Sequence, residues 1–430
     1  EMTSSLVGSE MCIRDRLGIS SGAYETVIKA EEALVTVFRN ISDVESSNQA
    51  RVLYAFQQEN ISARHFSPSY GYGYDDIGRD ALDRVFARSF NCEDAIVRPY
   101  FVSGTHAIFT ALCGLLRQND TILSITGRPY DTLEDAIGVE DGEMPSSLKH
   151  MGVRYKQIEL DNNGSIDTRR ILDSLDSSVK VVYVQRSRGY AWRNSIMPHE
   201  MKEPFNAIKS VLPQAAIVVD NCYGEFTCID EPSDYGADII VGSLIKNPGG
   251  GIAPTGGYIA GRRELIERVA NRVTVPGIGR EVGSYAASYI PFYQGLFMAP
   301  HVTAQALKTS VLFARVFEEL GMITMPSSGA KRSDIVQALR FEKEGDLIAF
   351  CRSIQKASPV DSFVVPEPWD MPGYSNKVIM AAGAFIQGAS IELSADAPIK
   401  QPYTAYLQGG LTYSHGRIGA MMALDALRKV

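Results

Sequence analysis

Three short apolar runs lie close together in residues 216–261, and each stops at polar or glycine residues. Ile217-Val218-Val219 ends at Asp220. Ile239-Ile240-Val241 runs into Gly242-Ser243, and Lys246 follows. After the turn Gly249-Gly250-Gly251 comes a third run, residues 257–260. β-Branched runs of this length, bounded by turn residues, predict buried parallel strands. Residues 95–102, 121–125 and 181–184 predict three more. Between the strands, apolar positions recur at helical spacing. Val27, Ala30, Leu34 and Phe38 share one helix face, and Val52, Leu53 and Phe56 mark a second helix. Leu82, Val85 and Phe86 place another over residues 80–90, and others fall at 107–116 and 285–315. From Asp334 the pattern changes to strand (335–340), helix (346–355), two strands (377–382 and 388–394) and a last helix (418–428). That half predicts a small α+β domain, and the alternation before it predicts an α/β domain.

In open α/β sheets ligands sit beyond the carboxyl ends of the strands, where Asp220 and Lys246 fall. An acid and a lysine there suit pyridoxal phosphate. That cofactor needs a lysine for a Schiff base and a carboxylate to keep its ring nitrogen protonated. An ordinary salt bridge would use the same two residues. Ser103-Gly104-Thr105 turns directly into an apolar helix. Such a turn offers free amides and the positive end of the helix dipole to a phosphate, although Ser and Thr are also common N-caps. Tyr130, after the strand at 121–125, could stack on a planar ring or simply pack. Three tyrosines (Tyr70, Tyr72, Tyr74) alternate with glycines ahead of Arg79. This is loop chemistry that could bring hydroxyls and an arginine to an anion. Arg186, Arg188 and Arg193 crowd another strand end, as an anion-handling surface or a solvated loop.

Composition narrows the classes. With 42 Lys and Arg against 50 Asp and Glu, the net charge is −8, which argues against a nucleic-acid partner. No apolar stretch approaches the roughly 18 residues of a membrane-spanning helix. Six scattered cysteines without a CxxC pair suit a reducing cytoplasm, and neither they nor the six histidines have metal-ligand spacing. The opening SSLVGSEMCIRDR lacks the apolar core of a signal peptide. It reads as translated adapter sequence, so residues 1–16 are expected to be artefactual.

In order along the chain, SYGYGYDDIGRDALD, VSGTHAIFTAL, TGRPYDTLEDAIG, QRSRGYAWR, IVVDNCYGEF, GSLIKNPGGGIAPTGGYIAG and GASIELSADAPIKQPYTAYLQGGLTYSHGRIG resemble the fold-type I pyridoxal-phosphate enzymes. More narrowly, they resemble the cystathionine β-lyase-like group named for aluminium resistance or methionine γ-lyase. The resemblance implies the α/β fold of PLP-dependent transferases, a large domain with a mostly parallel seven-stranded sheet plus a small α+β C-terminal domain. The expected boundaries are 17–60 for a helical arm, 61–315 for the large domain and 316–430 for the small one. It implies that Lys246 forms the Schiff base and moves protons, Asp220 binds the ring nitrogen and Tyr130 stacks on the ring. Ser103, Gly104, Thr105 and Ser243 would hold the phosphate. Tyr72 or Tyr74, with Arg79, would reach the phosphate of a neighbouring subunit, making a dimer the minimum active unit and a homotetramer the common form. The implied reaction is carbon–sulfur bond cleavage in a sulfur-containing amino acid by β- or γ-elimination. Another pyridoxal-phosphate chemistry (transaminase, synthase or racemase), or a non-catalytic relative, are the alternatives. Better-known relatives bind the substrate carboxylate through an Arg-x-Ser-like stretch. Here the similar stretch, residues 390–394, holds Glu392, which leaves Arg186, Arg188, Arg193 and Arg417 as candidates.

Overall fold

The computed structural model describes residues 15–140, 144–371 and 376–428, so nearly all of the 1–16 segment lies outside the described residues. The chain divides into two compact units, residues 44–303 with 332–334, and residues 1–43 with 304–331 and 335–430.

The first unit is built on a seven-stranded sheet. Its strands are β1 (Asp94–Arg98), β2 (Thr121–Ser124), β3 (Arg154–Gln157), β4 (Val179–Gln185), β5 (Ala216–Asp220), β6 (Ile239–Ser243) and β7 (Gly257–Gly261). Across the sheet the order is β1-β7-β6-β5-β4-β2-β3. The mostly parallel sheet is as expected, with β3, β2, β4, β5 and β6 parallel. One expectation is corrected. The third run of the 216–261 stretch, β7, is antiparallel to both β6 and β1. A parallel return needs a crossover, usually a helix. The link from β6 to β7 holds only the 3-10 turn Asn247–Gly249, so the chain comes back beside β6 in the opposite direction.

Successive strand residues point to opposite faces. Both faces here are covered, which is why the strands are apolar throughout. On one face Val182, Val184, Ile217, Val219 and Ile240 join one core. On the other, Val181, Tyr183, Val218, Ile239 and Val241 pack with Ala107, Ile108 and Ala111 of the helix Gly104–Leu115. Continuing the alternation to the strand ends carries Gln185, Asp220 and Ser243 onto this second face.

The other unit holds an antiparallel sheet of β8 (Thr324–Met325), β9 (Gln337–Arg340), β10 (Val378–Ala381), β11 (Ser394–Pro398) and β12 (Thr404–Gln408), in the order β10-β11-β12-β9-β8. Its core joins Leu339, Ile379 and Leu407 to Leu347 and Phe350 of the helix Glu344–Ala357 and to Val27 and Ala30 of the helix Ser21–Ala33. The predicted strand at 388–394 does not form, and pairing starts only at Ser394. The reason is Glu392. Its buried carboxylate accepts the amides of Phe385 and Ile386 at 2.9 and 3.0 Å, which curls the segment into turns. Glu392→Ala should therefore lower stability by about 1–2 kcal/mol, and Glu392→Gln by less, because one acceptor oxygen survives. Urea unfolding midpoints of the two variants check this.

Candidate active site

The ends of β5 and β6 define the site. Asp220 is 3% exposed. Its Oδ1 accepts the Cys222 amide at 3.0 Å, and its Oδ2 accepts the Tyr183 hydroxyl at 3.3 Å. Burial pushes the Asp220 carboxyl above its ordinary range, against the pull of Lys246, the Cys222 thiol and amide, and the Tyr183 hydroxyl. A carboxyl in this position gains from any cation at hand.

Lys246 follows β6 by three residues and is half-buried. Its position comes from the turn around it. The Gly249 amide donates to the Lys246 carbonyl at 3.2 Å. Buried Asn247 donates through Nδ2 to the carbonyls of Tyr223 and Glu225, both at 2.9 Å. The turn after β6 is thereby tied to the turn after β5. Burial works against the Lys246 charge, but Cys222, Tyr223, Asp220 and Tyr130 outweigh it and hold the ammonium well above the usual lysine range.

Opposite these residues the helix Gly104–Leu115 begins. Ser103 caps it, its Oγ accepting the His106 amide at 3.1 Å. The Gly104 and Thr105 amides precede that capped amide, in the turn where helices leave donors without intrahelical acceptors. Tyr130 donates its hydroxyl to Thr105 Oγ1 at 2.9 Å, and its amide donates to Gln185 Oε1 at 2.9 Å. Gln185 thus fixes the backbone of the ring that the sequence singled out.

The residues fit pyridoxal phosphate. Ser243 Oγ is buried and has no hydrogen-bond partner among the described residues. A Cβ on Gly104 would meet Cys222 Sγ at 3.2 Å and Ser243 Cβ at 3.3 Å. The helix start and the Ser243 side chain therefore enclose one cradle, which a Cβ at position 104 would crowd. A phosphate there would accept from the idle hydroxyl and from the first amides of the helix. The buried Asp220 carboxyl matches a protonated ring nitrogen.

The arginines part company. Arg186 is fully buried and donates to Asn221 Oδ1 at 2.6 Å, to Glu231 at 3.3 Å, to Thr227 Oγ1 at 3.3 Å and to Ser333 Oγ at 3.2 Å. It braces the turn after β5 and is not presented to a ligand. Arg188 and Arg193 line a cavity of about 370 Å³ at the ends of β2, β3 and β4, together with Gln185 and Trp192. Within it, Arg193 donates to the carbonyls of Gln185 and Ser187 at 3.1 and 2.7 Å. Arg417 belongs to the other unit, where it pairs with Glu31 at 3.0 Å.

In the tyrosine loop, Tyr72 and Tyr74 are 71% and 66% exposed. Arg79 is buried and donates to the Gly73 carbonyl at 2.9 Å and to Asp80 at 2.8 Å. It holds the loop from beneath, while the rings face outward. The helix that follows starts at Ile77, earlier than predicted, because Asp76 caps it by accepting the Arg79 amide at 2.9 Å.

The sequence profile of the methionine gamma-lyase family matches residues 23–428. The chain belongs to that family. It is 48% identical to YnbB of Bacillus subtilis strain 168 over 94% of this chain and 96% of YnbB. It is similar to a crystal structure from Clostridium novyi NT described as a carbon-sulfur lyase involved in aluminium resistance, at 48% identity and TM-score 0.94, covering 98% of this chain and 99% of that one. The pyridoxal-5'-phosphate-dependent protein YhfS of Escherichia coli shares the fold, at 13% identity and TM-score 0.61 over 91% of this chain and 97% of that one.

Sequence reasoning missed Tyr183, Gln185, Tyr223 and Glu225. For the first two a signal was present. They are polar-tipped residues two apart in a buried strand, on the side that Asp220 shares. Glu225 is fully buried; Tyr258 donates to its Oε1 at 3.0 Å, and its Oε2 has no partner among the described residues. Burial pushes its carboxyl up to about 8, with Glu231 adding to the rise and its own amide, Tyr258 and Lys246 opposing it. An acid raised in this way keeps its proton in the folded chain at pH values where the unfolded chain has lost it. Stability therefore falls as pH climbs from the ordinary glutamate value toward 8. Urea unfolding followed across that window should give a flatter profile for Glu225→Gln than for the wild type.

Proposed function

We propose that this chain is a pyridoxal-phosphate-dependent carbon–sulfur lyase for an amino acid of the methionine or cystathionine kind, removing the α-proton and eliminating sulfur from Cβ or Cγ. The observation that carries the reading is the meeting of Asp220, the partnerless Ser243 hydroxyl and Lys246 beside the start of the helix Gly104–Leu115, in a chain of the methionine gamma-lyase family.

When bound, the cofactor supplies an electron-withdrawing ring that stabilises negative charge at the substrate α-carbon. Asp220 would keep the ring nitrogen protonated, Tyr130 would lie against the ring, and Ser103, Gly104, Thr105 and Ser243 would hold the phosphate. Lys246, as a neutral amine, takes the α-proton and delivers protons along the substrate chain. As an ammonium it protonates the departing sulfur. With one water consumed, the products are a thiol, ammonia and a keto acid.

Of the candidate arginines, Arg188 is favoured for the substrate carboxylate. It lines the cavity next to Gln185, whose side chain also holds the Tyr130 amide. Arg193 in the same cavity is directed to the Gln185 and Ser187 carbonyls, and Arg186 and Arg417 do not line it. A homo-oligomer of two or four copies is supported by Tyr72 and Tyr74. They are held outward by a loop pinned through the Gly283 amide to the Tyr72 carbonyl and the Ser284 hydroxyl to the Gly71 carbonyl. Rings kept in water by a built scaffold suit a neighbouring copy and its phosphate. Free thiols at Cys92, Cys113, Cys222, Cys228 and Cys351 suit a cytoplasmic setting. Among the described residues no helix is long and apolar enough to cross a membrane.

The test is a panel of L-methionine, L-cystathionine and S-alkylcysteines, assayed without any keto-acid acceptor. Thiol, ammonia and keto acid should appear in equal amounts with the wild type and vanish in Lys246→Ala. Keto acid formed only when an acceptor is supplied would mean amino transfer and would overturn the lyase reading.

A further inference from the structure

Among the described residues, Tyr223 and Phe226 are the two aromatic residues in the left-handed region, both in the turn after β5. Tyr223 has a φ of +71°, a left-handed conformation that bulky residues rarely adopt. It is held there from several directions. Its carbonyl accepts from Asn247 Nδ2 at 2.9 Å, and the next amide, Gly224, donates to the Asn221 carbonyl at 2.9 Å. Gly224 itself lies so close to Arg186 that a Cβ would fall 2.6 Å from the guanidinium. Strain retained by so many restraints is characteristic of functional positions. What the conformation achieves is visible in the ring. The Lys246 ammonium stands over the face of Tyr223, 3.9 Å from its centroid.

We infer that Tyr223 is a positioning residue for Lys246, its ring face serving as the seat of the lysine ammonium whenever that nitrogen is not covalently engaged. The inference rests on the reading of Lys246 as the cofactor-binding lysine. An aromatic face attracts a cation through its quadrupole, most strongly where water is excluded. Asn247, directly after the lysine, clamps the Tyr223 carbonyl, so ring and ammonium belong to one braced unit. The groups facing Lys246 are Asp220, Cys222, Tyr223, Tyr130 and Glu225. Among them Tyr223 is the one with the ammonium on its ring face. A consequence follows for every step in which Lys246 must be neutral. The seat favours the ammonium, so it sets the pH at which the amine becomes available.

The test uses the full-length chain stripped of cofactor and mixed with pyridoxal phosphate. The Lys246 amine and the cofactor aldehyde condense with loss of one water, and the visible absorbance of the product reports the rate. Only neutral amine attacks, so the pH midpoint of that rate reports the ammonium. Tyr223→Phe keeps the ring face and removes the phenol oxygen, one of the groups that holds the ammonium, so it is the shape-matched reference from which the fluorinated series is read. Mono-, di- and trifluorinated phenylalanines at position 223 keep the shape and drain the face of negative charge. They should lower the midpoint stepwise, by roughly one pH unit at the end of the series. The shape is constant through the series, so folding does not confound it. A visible band with the same midpoint throughout would overturn this inference alone. No band in the wild type would overturn the cofactor reading and this inference with it.

Discussion

Burying a carboxyl at the end of β5 sets the terms for everything around it. Asp220 sits almost out of water, and an isolated charge there would be very costly. The surroundings answer with an amide, a tyrosine hydroxyl and a lysine beyond the end of the neighbouring strand β6. None of these is a full counter-charge in hydrogen-bond contact. The carboxyl accordingly drifts upward from its ordinary range, and it is left suited to a cationic ring nitrogen. The same logic applies at Ser243, a hydroxyl out of water without a partner among the described residues. Two incompletely compensated polar groups on one face, beside a helix start, describe a ligand better than they describe a stable core.

Strand parity turns this constraint into a site. Tyr183, Gln185, Asp220 and Ser243 share a face because side chains alternate, and that face is the one the helix Gly104–Leu115 covers. The turns beyond the strands are joined by Asn247, so the lysine and the Tyr223–Glu225 segment keep a fixed geometry. Arg186, with Glu231 and Asn221, supplies the rigid backing. An arginine that the sequence offers for binding anions is thus used as a brace, while Arg188 lines the adjoining cavity.

Much of this was legible in the sequence, for a physical reason. Buried parallel strands are continuous apolar runs, so the polar residues at their ends stand out, and Asp220, Ser243 and Lys246 are found at once. A capping serine and a glycine before an apolar helix mark Ser103 and Gly104 in the same way. Long-range features were not legible. Nothing local tells that Glu392 curls residues 385–393 away from strand pairing, or that Arg186 meets Glu231 forty-five positions later. β12 escaped because Thr404-Ala405-Tyr406-Leu407-Gln408 is neither a β-branched apolar run like β5 and β6 nor an alternating one, although all five residues are buried. Tyr183 and Gln185 acquire meaning only from the register that sets Gln185 against Asp220.

The central claim is that Lys246 is the lysine that bonds to pyridoxal phosphate. Borohydride reduction of the cofactor-loaded protein, followed by proteolysis and mass spectrometry, tests it most directly. The account predicts the reduced cofactor on the peptide carrying Lys246 and on no other lysine. A label on a different lysine, or an unlabelled protein after loading, would contradict it.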